Sequence, residues 1–257
     1  MLKTKRGGAA EIVATSPLPG LPGSEGVPPA LAFPGAGETP ALPGRAGREI
    51  ALMGFANGRR FATILADPPW QFTNKTGKVA PEHKRLSRYG TMKLDDIMTL
   101  PIAALAAPTS HLYLWCPNAM LPDGLAVLQA WGFTYKANLV WHKIRKDGAS
   151  DGRGVGFYFR NVTELILFGV RGKNARTLAP GRRQVNLLAT RKREHSRKPD
   201  EQYDIIEACS PGPFLELFAR GNREGWTTWG NQADDDYQPT WKTYAFHSRA
   251  AGRMSGA

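Results

Sequence analysis

The chain has 257 residues, 42% of them hydrophobic, which is enough for one α/β domain with tails. Its formal net charge of +12 points to a polyanionic partner such as nucleic acid. Its two cysteines form no Cys-x-x-Cys pair and no Cys/His cluster, which excludes a disulfide scaffold and a structural zinc site, so no metal is expected. No run approaches membrane-spanning length, and no apolar stretch follows the basic start Met1–Arg6. A cytoplasmic protein with no membrane contact is expected.

Residues from about Ser16 to Gly47 are crowded with Pro, Gly and Ala and cannot bury enough surface to offset their ordering entropy. The expected organisation is a disordered segment over 1–47, a folded domain over 48–233 and a tail over 234–257. Phe61–Ala66 reads as a short buried strand. It runs into Asp67-Pro68-Pro69-Trp70, where two prolines end the ladder and fix the backbone. Gln71 to Gly90 is a long polar segment with Lys84, Arg85 and Arg88, suited to a phosphate backbone or to solvent. Leu94–Leu105 reads as a helix interrupted at Pro101, His111–Cys116 as a strand, and Leu121–Trp131 as a helix capped by Gly132. Tyr135–Trp141, Glu164–Val170 and Val185–Ala189 follow as strands. Pro199 suits the first position of a helix to about Ala208. Leu215–Ala219 and Trp226–Trp229 read as the last strands. Strands alternating with helices predict a mainly parallel, doubly wound α/β sheet.

Three groups could carry chemistry. The carboxyl ends of strands in open α/β sheets are where ligands bind, and Asp67 stands at one. Asp67 and the rigidly held Pro68 carbonyl make two acceptors that could hold both hydrogens of one exocyclic amine. Trp70 could stack on a base. The segment Arg171 to Lys198 is strongly basic and includes Arg191, Lys192 and Arg193; it reads as a nucleic-acid cleft or as a solvated face. The third group, Glu216 to Asn222 and Gly225 to Gln232, could bind a small polar ligand at the sheet edge. No Gly-x-Gly-x-x-Gly or P-loop is present, which argues against dinucleotide and nucleoside-triphosphate chemistry.

Together these blocks resemble the adenine-N6 methyltransferases related to the seventy-kilodalton MT-A subunit of the eukaryotic mRNA methyltransferase, in their compact bacterial and phage form. The marks are Asp67-Pro68-Pro69-Trp70, Tyr89-Gly90-Thr91-Met92, Leu112–Trp115, Trp131-Gly132-Phe133, His195–Glu201, Glu216–Arg220 and Trp229–Gln232. The resemblance implies a permuted, β-class Rossmann-like fold with a mainly parallel sheet, and S-adenosylmethionine as methyl donor. By matching positions it implies that Asp67, Pro68, Pro69 and Trp70 form the catalytic pocket. It further implies that Glu49, Ile50, Asp67, Lys198, Arg220, Asn222, Asn231 and Gln232 hold the cofactor. Asn222 and Arg223 depart from the His and Asn of the eukaryotic form. Lys84, Arg85, Arg88, Tyr89, Arg191, Lys192 and Arg193 are the expected nucleic-acid contacts. The expected activity is methylation of the adenine N6 amine in DNA. The alternatives are the same reaction on RNA, or a non-catalytic nucleic-acid-binding scaffold. A homodimer is compatible with this reading.

Overall fold

In the computed structural model of the chain, the residues described are 45–71, 91–151, 158–192, 197–231 and 233. A helix, α1, spans Arg45–Ala56 and so begins inside the segment expected to be disordered. It has no counterpart in the sequence reading. Leu52 and Ala56 anchor it in the core, and Arg48 pairs with Asp96 at 3.1 Å.

Strand β1 is Phe61–Ala66, as expected. The expected helix broken at Pro101 is two short ones, α2 (Leu94–Met98) and α3 (Ile102–Leu105), because the proline ring cannot continue the first. Strand β2 runs Ala106–Cys116 and α4 runs Leu121–Ala130. The fully buried Trp131 donates its indole N–H to the Ile97 carbonyl at 2.9 Å, which joins α4 to α2. Gly132, at φ +82°, then turns the chain into β3 (Thr134–Ile144), a conformation that a side chain would strain. Strand β4 is Thr163–Arg171.

Strand β5 is Leu187–Arg191, not Val185–Ala189; its bounds are set by parallel pairing with Val140–Ile144 of β3. Helix α5 is Glu201–Cys209, and Pro199 lies before it rather than at its first position. Asp200 occupies the N-cap position, but its carboxylate pairs with Arg197 instead of capping. Strand β6 stops at Leu217 instead of Ala219, because Phe218 adopts φ +62° and takes the chain out of the sheet. Strand β7 is Trp226–Trp229.

The seven strands form one sheet in the order β5-β3-β4-β2-β1-β6-β7. Every neighbouring pair is parallel except those involving β4, which runs against both β2 and β3. This is the mainly parallel sheet that the sequence predicts. Its consequence for the site is directional. The start of β4 arrives at the same edge as the carboxyl ends of β1, β2, β3 and β6.

Side chains alternate between the two faces of a strand, so the core is divided in two. On one face Ile64, Ala66, Leu112, Leu114 and Leu217 pack with α1 and α4. On the other face Leu65, Tyr113, Trp115 and Trp141 pack under Ile206 of α5 and Trp226. Each of these fully buried large side chains contributes about 1.5–3 kcal/mol relative to exposure. Asp67 is two residues beyond Leu65 and therefore falls on the α5 face. No helix among the described residues is long and apolar enough to cross a membrane.

Candidate active site at the carboxyl edge of the sheet

The main chain fixes Asp67 before its side chain does anything. Its N–H donates to the Leu217 carbonyl at 3.4 Å, which joins the ends of β1 and β6. The Pro68 carbonyl accepts the Trp70 N–H at 2.8 Å, and the Pro69 carbonyl accepts the Met92 N–H at 2.8 Å. The two prolines thus form a stiff corner tied at both sides. Trp70 corrects the expectation that it stacks on a base. It is 4% exposed and donates its indole N–H to the Trp115 carbonyl at 3.0 Å. It anchors the corner to β2 from within the core.

Four charged side chains of alternating sign run along the sheet edge. Lys198 Nζ stands 3.0 Å from Asp67 Oδ2 and 3.5 Å from Glu164 Oε2. Glu164 Oε1 in turn accepts Lys143 Nζ at 2.5 Å. Glu164 reaches this edge because β4 runs antiparallel, and Lys143 because it lies two residues beyond Trp141 on β3. Both lysines lie over indoles, Lys198 4.9 Å from the Trp115 ring and Lys143 4.9 Å from the Trp141 ring. Burial alone would push Glu164 up, but Lys198 and Lys143 outweigh it and hold its carboxyl below the ordinary range. Burial likewise opposes the Lys198 charge, but Asp67 and Glu164 overcome it and raise its pKa. Glu164 is therefore held as a carboxylate and Lys198 as an ammonium.

Asp67 and Lys198 line a cavity together with Trp115, Glu216, Phe218 and Arg220. The start of α5 closes one side. Gln202 Oε1 accepts the buried Trp115 indole N–H at 2.7 Å, and the Tyr203 hydroxyl donates to both Glu216 oxygens at 3.0 Å. Burial, reinforced by the Asp67 charge, pushes Glu216 up to about 7 against the stabilising Tyr203 bond. Opposite, the loops after β6 and β7 meet at Ala219 N–H and the Trp229 carbonyl, 3.0 Å apart. Gly230 permits this approach, since a Cβ there would lie 2.6 Å from both the N and O of Ala219.

Of the expected cofactor residues, the structure brings Asp67, Lys198 and Arg220 together. Glu49 and Ile50 do not join them. Both are exposed on α1, Ile50 by 73%, and α1 packs on the opposite face of the sheet. Asn222 is exposed, and its Oδ1 accepts the Thr228 hydroxyl at 2.6 Å. Asn231 is exposed just beyond β7. Among the expected nucleic-acid residues, Arg191 and Lys192 border a second cavity near the ends of β3 and β5. Gln232, Lys84, Arg85, Arg88, Tyr89 and Arg193 lie outside the described residues.

Sequence reasoning missed Lys143 and Glu164, and named Glu216 only as part of a block. One signal for them existed. Glu164 and Glu216 are the single acids of mostly apolar strands, and a buried charge implies a partner.

The sheet with its one reversed strand, its acid-proline corner and the cavity at its carboxyl edge define a Rossmann-like methyltransferase fold. The MT-A70 family model matches residues 61–232, and the chain belongs to that family. It is 32% identical over 179 residues to a putative N(6)-adenosine-methyltransferase MT-A70-like protein of Medicago truncatula, covering 67% of this chain and 26% of that one. It is 28% identical over 194 residues to the type II methyltransferase M.MunI of Mycoplasma sp, covering 69% of this chain and 80% of that one. To human N(6)-adenosine-methyltransferase catalytic subunit METTL3 it is 31% identical over 190 residues, covering 72% and 30% respectively. The chain thus spans about a quarter to a third of the plant and human relatives and most of M.MunI.

Proposed function

We propose that this protein is an S-adenosylmethionine-dependent methyltransferase acting on the N6 amine of adenine in DNA. The observation that carries the reading is the placement of Asp67. A rigid acid stands at a strand end, one oxygen engaged by Lys198 and Oδ1 left to accept a further donor, in a cavity with cations and an aromatic ring.

The donor set fits the cofactor. Arg220 and Lys198 are cations for a carboxylate, Asp67 and Glu216 suit cationic or hydroxyl groups, and the Phe218 ring offers a plate for a purine. When bound, S-adenosylmethionine supplies a methyl group activated for transfer. The protein's own part is to position and polarise. Asp67 Oδ1 and a free lone pair of the Pro68 carbonyl accept the two hydrogens of the adenine amine, which keeps the nitrogen lone pair localised and aimed into the cavity. Lys198 holds the carboxylate in place for this, as an ion pair partly shielded from water. Glu164 and Lys143 hold Lys198. Asn222, Asn231 and Gln232 remain proposed cofactor contacts at the rim, with Lys84, Arg85, Arg88, Tyr89, Arg191, Lys192 and Arg193 towards the nucleic acid.

DNA is placed ahead of RNA because the compact build is shared with the type II methyltransferase M.MunI over most of its length. RNA is the second reading, favoured by the relatives named for adenosine. The test is transfer of a tritiated methyl group from S-adenosylmethionine to DNA and to RNA, with the product base identified by mass spectrometry. N6-methyladenine in DNA, lost in Asp67→Ala, is the expected result. Transfer to neither polymer, or full transfer by Asp67→Ala, overturns the proposal.

A further inference from the structure

The carboxyl edge of the sheet holds a second cavity, of about 350 Å³, that the methyl-transfer site does not use. Arg145, Lys146, Arg191 and Lys192 border it together with Asp147 and Asp151. The cations come from two neighbouring strand ends. Arg145 and Lys146 follow β3, Arg191 is the last residue of β5, and the parallel register sets Ile144 beside Arg191. The Trp141 indole N–H, donated to the Thr190 hydroxyl at 2.8 Å, holds those two ends together.

These charges are fixed in place, unlike those of a solvated basic run. Asp151 is 4% exposed and holds Lys192 Nζ at 2.8 Å, while its own N–H donates to the Lys143 carbonyl at 2.7 Å. A buried carboxylate paired to a rim lysine adds little net stability, so Asp151 is better explained by the lysine it positions. The turn after β3 is built in the same way. Asp147 accepts the Arg145 guanidinium at 2.7 and 3.2 Å and the Ala149 N–H at 3.1 Å, and the Arg145 N–H donates to the Ala149 carbonyl at 2.8 Å. Four cations against two carboxylates leave the cavity positive, and cations already oriented lose little freedom when an anion arrives.

The sheet order gives the distance to Asp67. From β1 the strands run β2, β4, β3, β5 along one edge. With neighbours about 4.8 Å apart, the cavity stands about 14–19 Å from the end of β1. A polymer with its base at Asp67 carries phosphates across that interval, one about every 3.4 Å of a helical strand, whereas the cofactor carries none.

We propose that this cavity binds a backbone phosphodiester of the nucleic acid, about four to six nucleotides from the target adenine, and so fixes the position of the strand on the sheet edge. The inference rests on the nucleic-acid methyltransferase reading above and gives it a phosphate contact outside the methyl-transfer cavity. DNA and RNA share the phosphodiester, so the contact serves either polymer.

The experiment is fluorescence anisotropy with a DNA duplex and an RNA strand over a series of salt concentrations. It compares wild type, Arg145→Gln/Lys146→Gln and the control Lys136→Gln/Lys173→Gln. The control removes the same charge from exposed positions at the opposite edge of the sheet, where β3 starts and β4 ends. Arg145→Gln/Lys146→Gln should weaken binding by about tenfold and reduce the slope of log affinity against log salt by about one. The control should keep the wild-type slope, and calorimetry should show wild-type cofactor binding in both variants. The KM for methyl transfer tests the distance. Neutral methylphosphonates placed about four to six linkages from the methylated adenine should raise the wild-type KM to that of Arg145→Gln/Lys146→Gln and leave the variant unchanged. If the variant keeps wild-type affinity and slope, if the control loses as much, or if the methylphosphonates act equally on both proteins, the subsite is wrong and the proposed function stands. If wild type neither binds nor methylates either polymer, the function falls and the subsite with it.

Discussion

Lys198 Nζ lies 3.0 Å from Asp67 Oδ2, and this one contact ties the end of β1 to the segment leading into α5. The carboxylate follows the first strand of the sheet and the ammonium lies in a stretch more than a hundred residues later.

Lys198→Met tests that contact. It removes the cation between Asp67 and Glu164 while keeping the stem over Trp115. Asp67 then has lost its cation, and Glu164 keeps only Lys143. We expect methyl transfer to fall by at least about tenfold and stability to fall by about 1–3 kcal/mol. Single-turnover kinetics and urea unfolding measure the two. Wild-type values in both would show the pair to be incidental.

Glu216 makes a pH prediction with a definite sign. Its folded pKa of about 7 lies above the ordinary value of 4.5, so between those values the folded chain binds more protons than the unfolded chain. This group therefore stabilises the fold below pH 4.5 and loses its contribution as pH rises through 7. The change is on the order of 1–3 kcal/mol. Glu164, held low by two lysines, acts in the opposite sense, and its contribution disappears only as pH falls below its ordinary range. Urea midpoints from pH 5 to pH 8 should show a smaller fall in Glu216→Gln than in wild type. Parallel curves would refute the assignment.

Trp70 is expected to behave as a core residue. Trp70→Phe deletes the indole N–H that bonds the Trp115 carbonyl and leaves that buried acceptor unpaired, costing about 1–2 kcal/mol. Trp70→Ala should cost about 3–5 kcal/mol. Nucleic-acid affinity of the folded Trp70→Phe protein should match wild type. A large affinity loss without a stability loss would restore the stacking role.

Gly230→Ala should separate the loops after β6 and β7, because the added methyl would lie 2.6 Å from Ala219 backbone atoms. The displaced segment carries Arg220 to the cavity. Calorimetry should show weaker cofactor binding, with a stability cost of about 1–3 kcal/mol from overpacking. Unchanged binding would mean that the close approach does not shape the site.

The fold was legible where one residue type decides local geometry. Pro101 split its helix, Gly132 ended another, and the apolar runs of β1, β2 and β4 marked buried strands. Boundaries that depend on a partner were not legible. Strand β5 is placed by its pairing with β3, and β6 ends where Phe218 turns, neither of which local composition records. At the site, Asp67, Lys198 and Arg220 converge as the motif blocks imply. Glu49 and Ile50 do not, because α1 packs on the far face, and a pattern of residues cannot say which face a helix will choose. Lys143 and Glu164 went unseen because the reversal of β4, a property of topology, is what brings Glu164 to the edge.

That reversal makes Lys143, Glu164, Lys198 and Asp67 a quartet of alternating charge spread over two strands and two connecting segments. Each single loss strands a charge that its neighbour was holding, so change at one of the four is expected to require change at another. Tolerated change there has to come in steps that keep the alternation, such as arginine for lysine or aspartate for glutamate. A library varied at all four codons and selected for folding alone, with no demand for methyl transfer, should return that alternation.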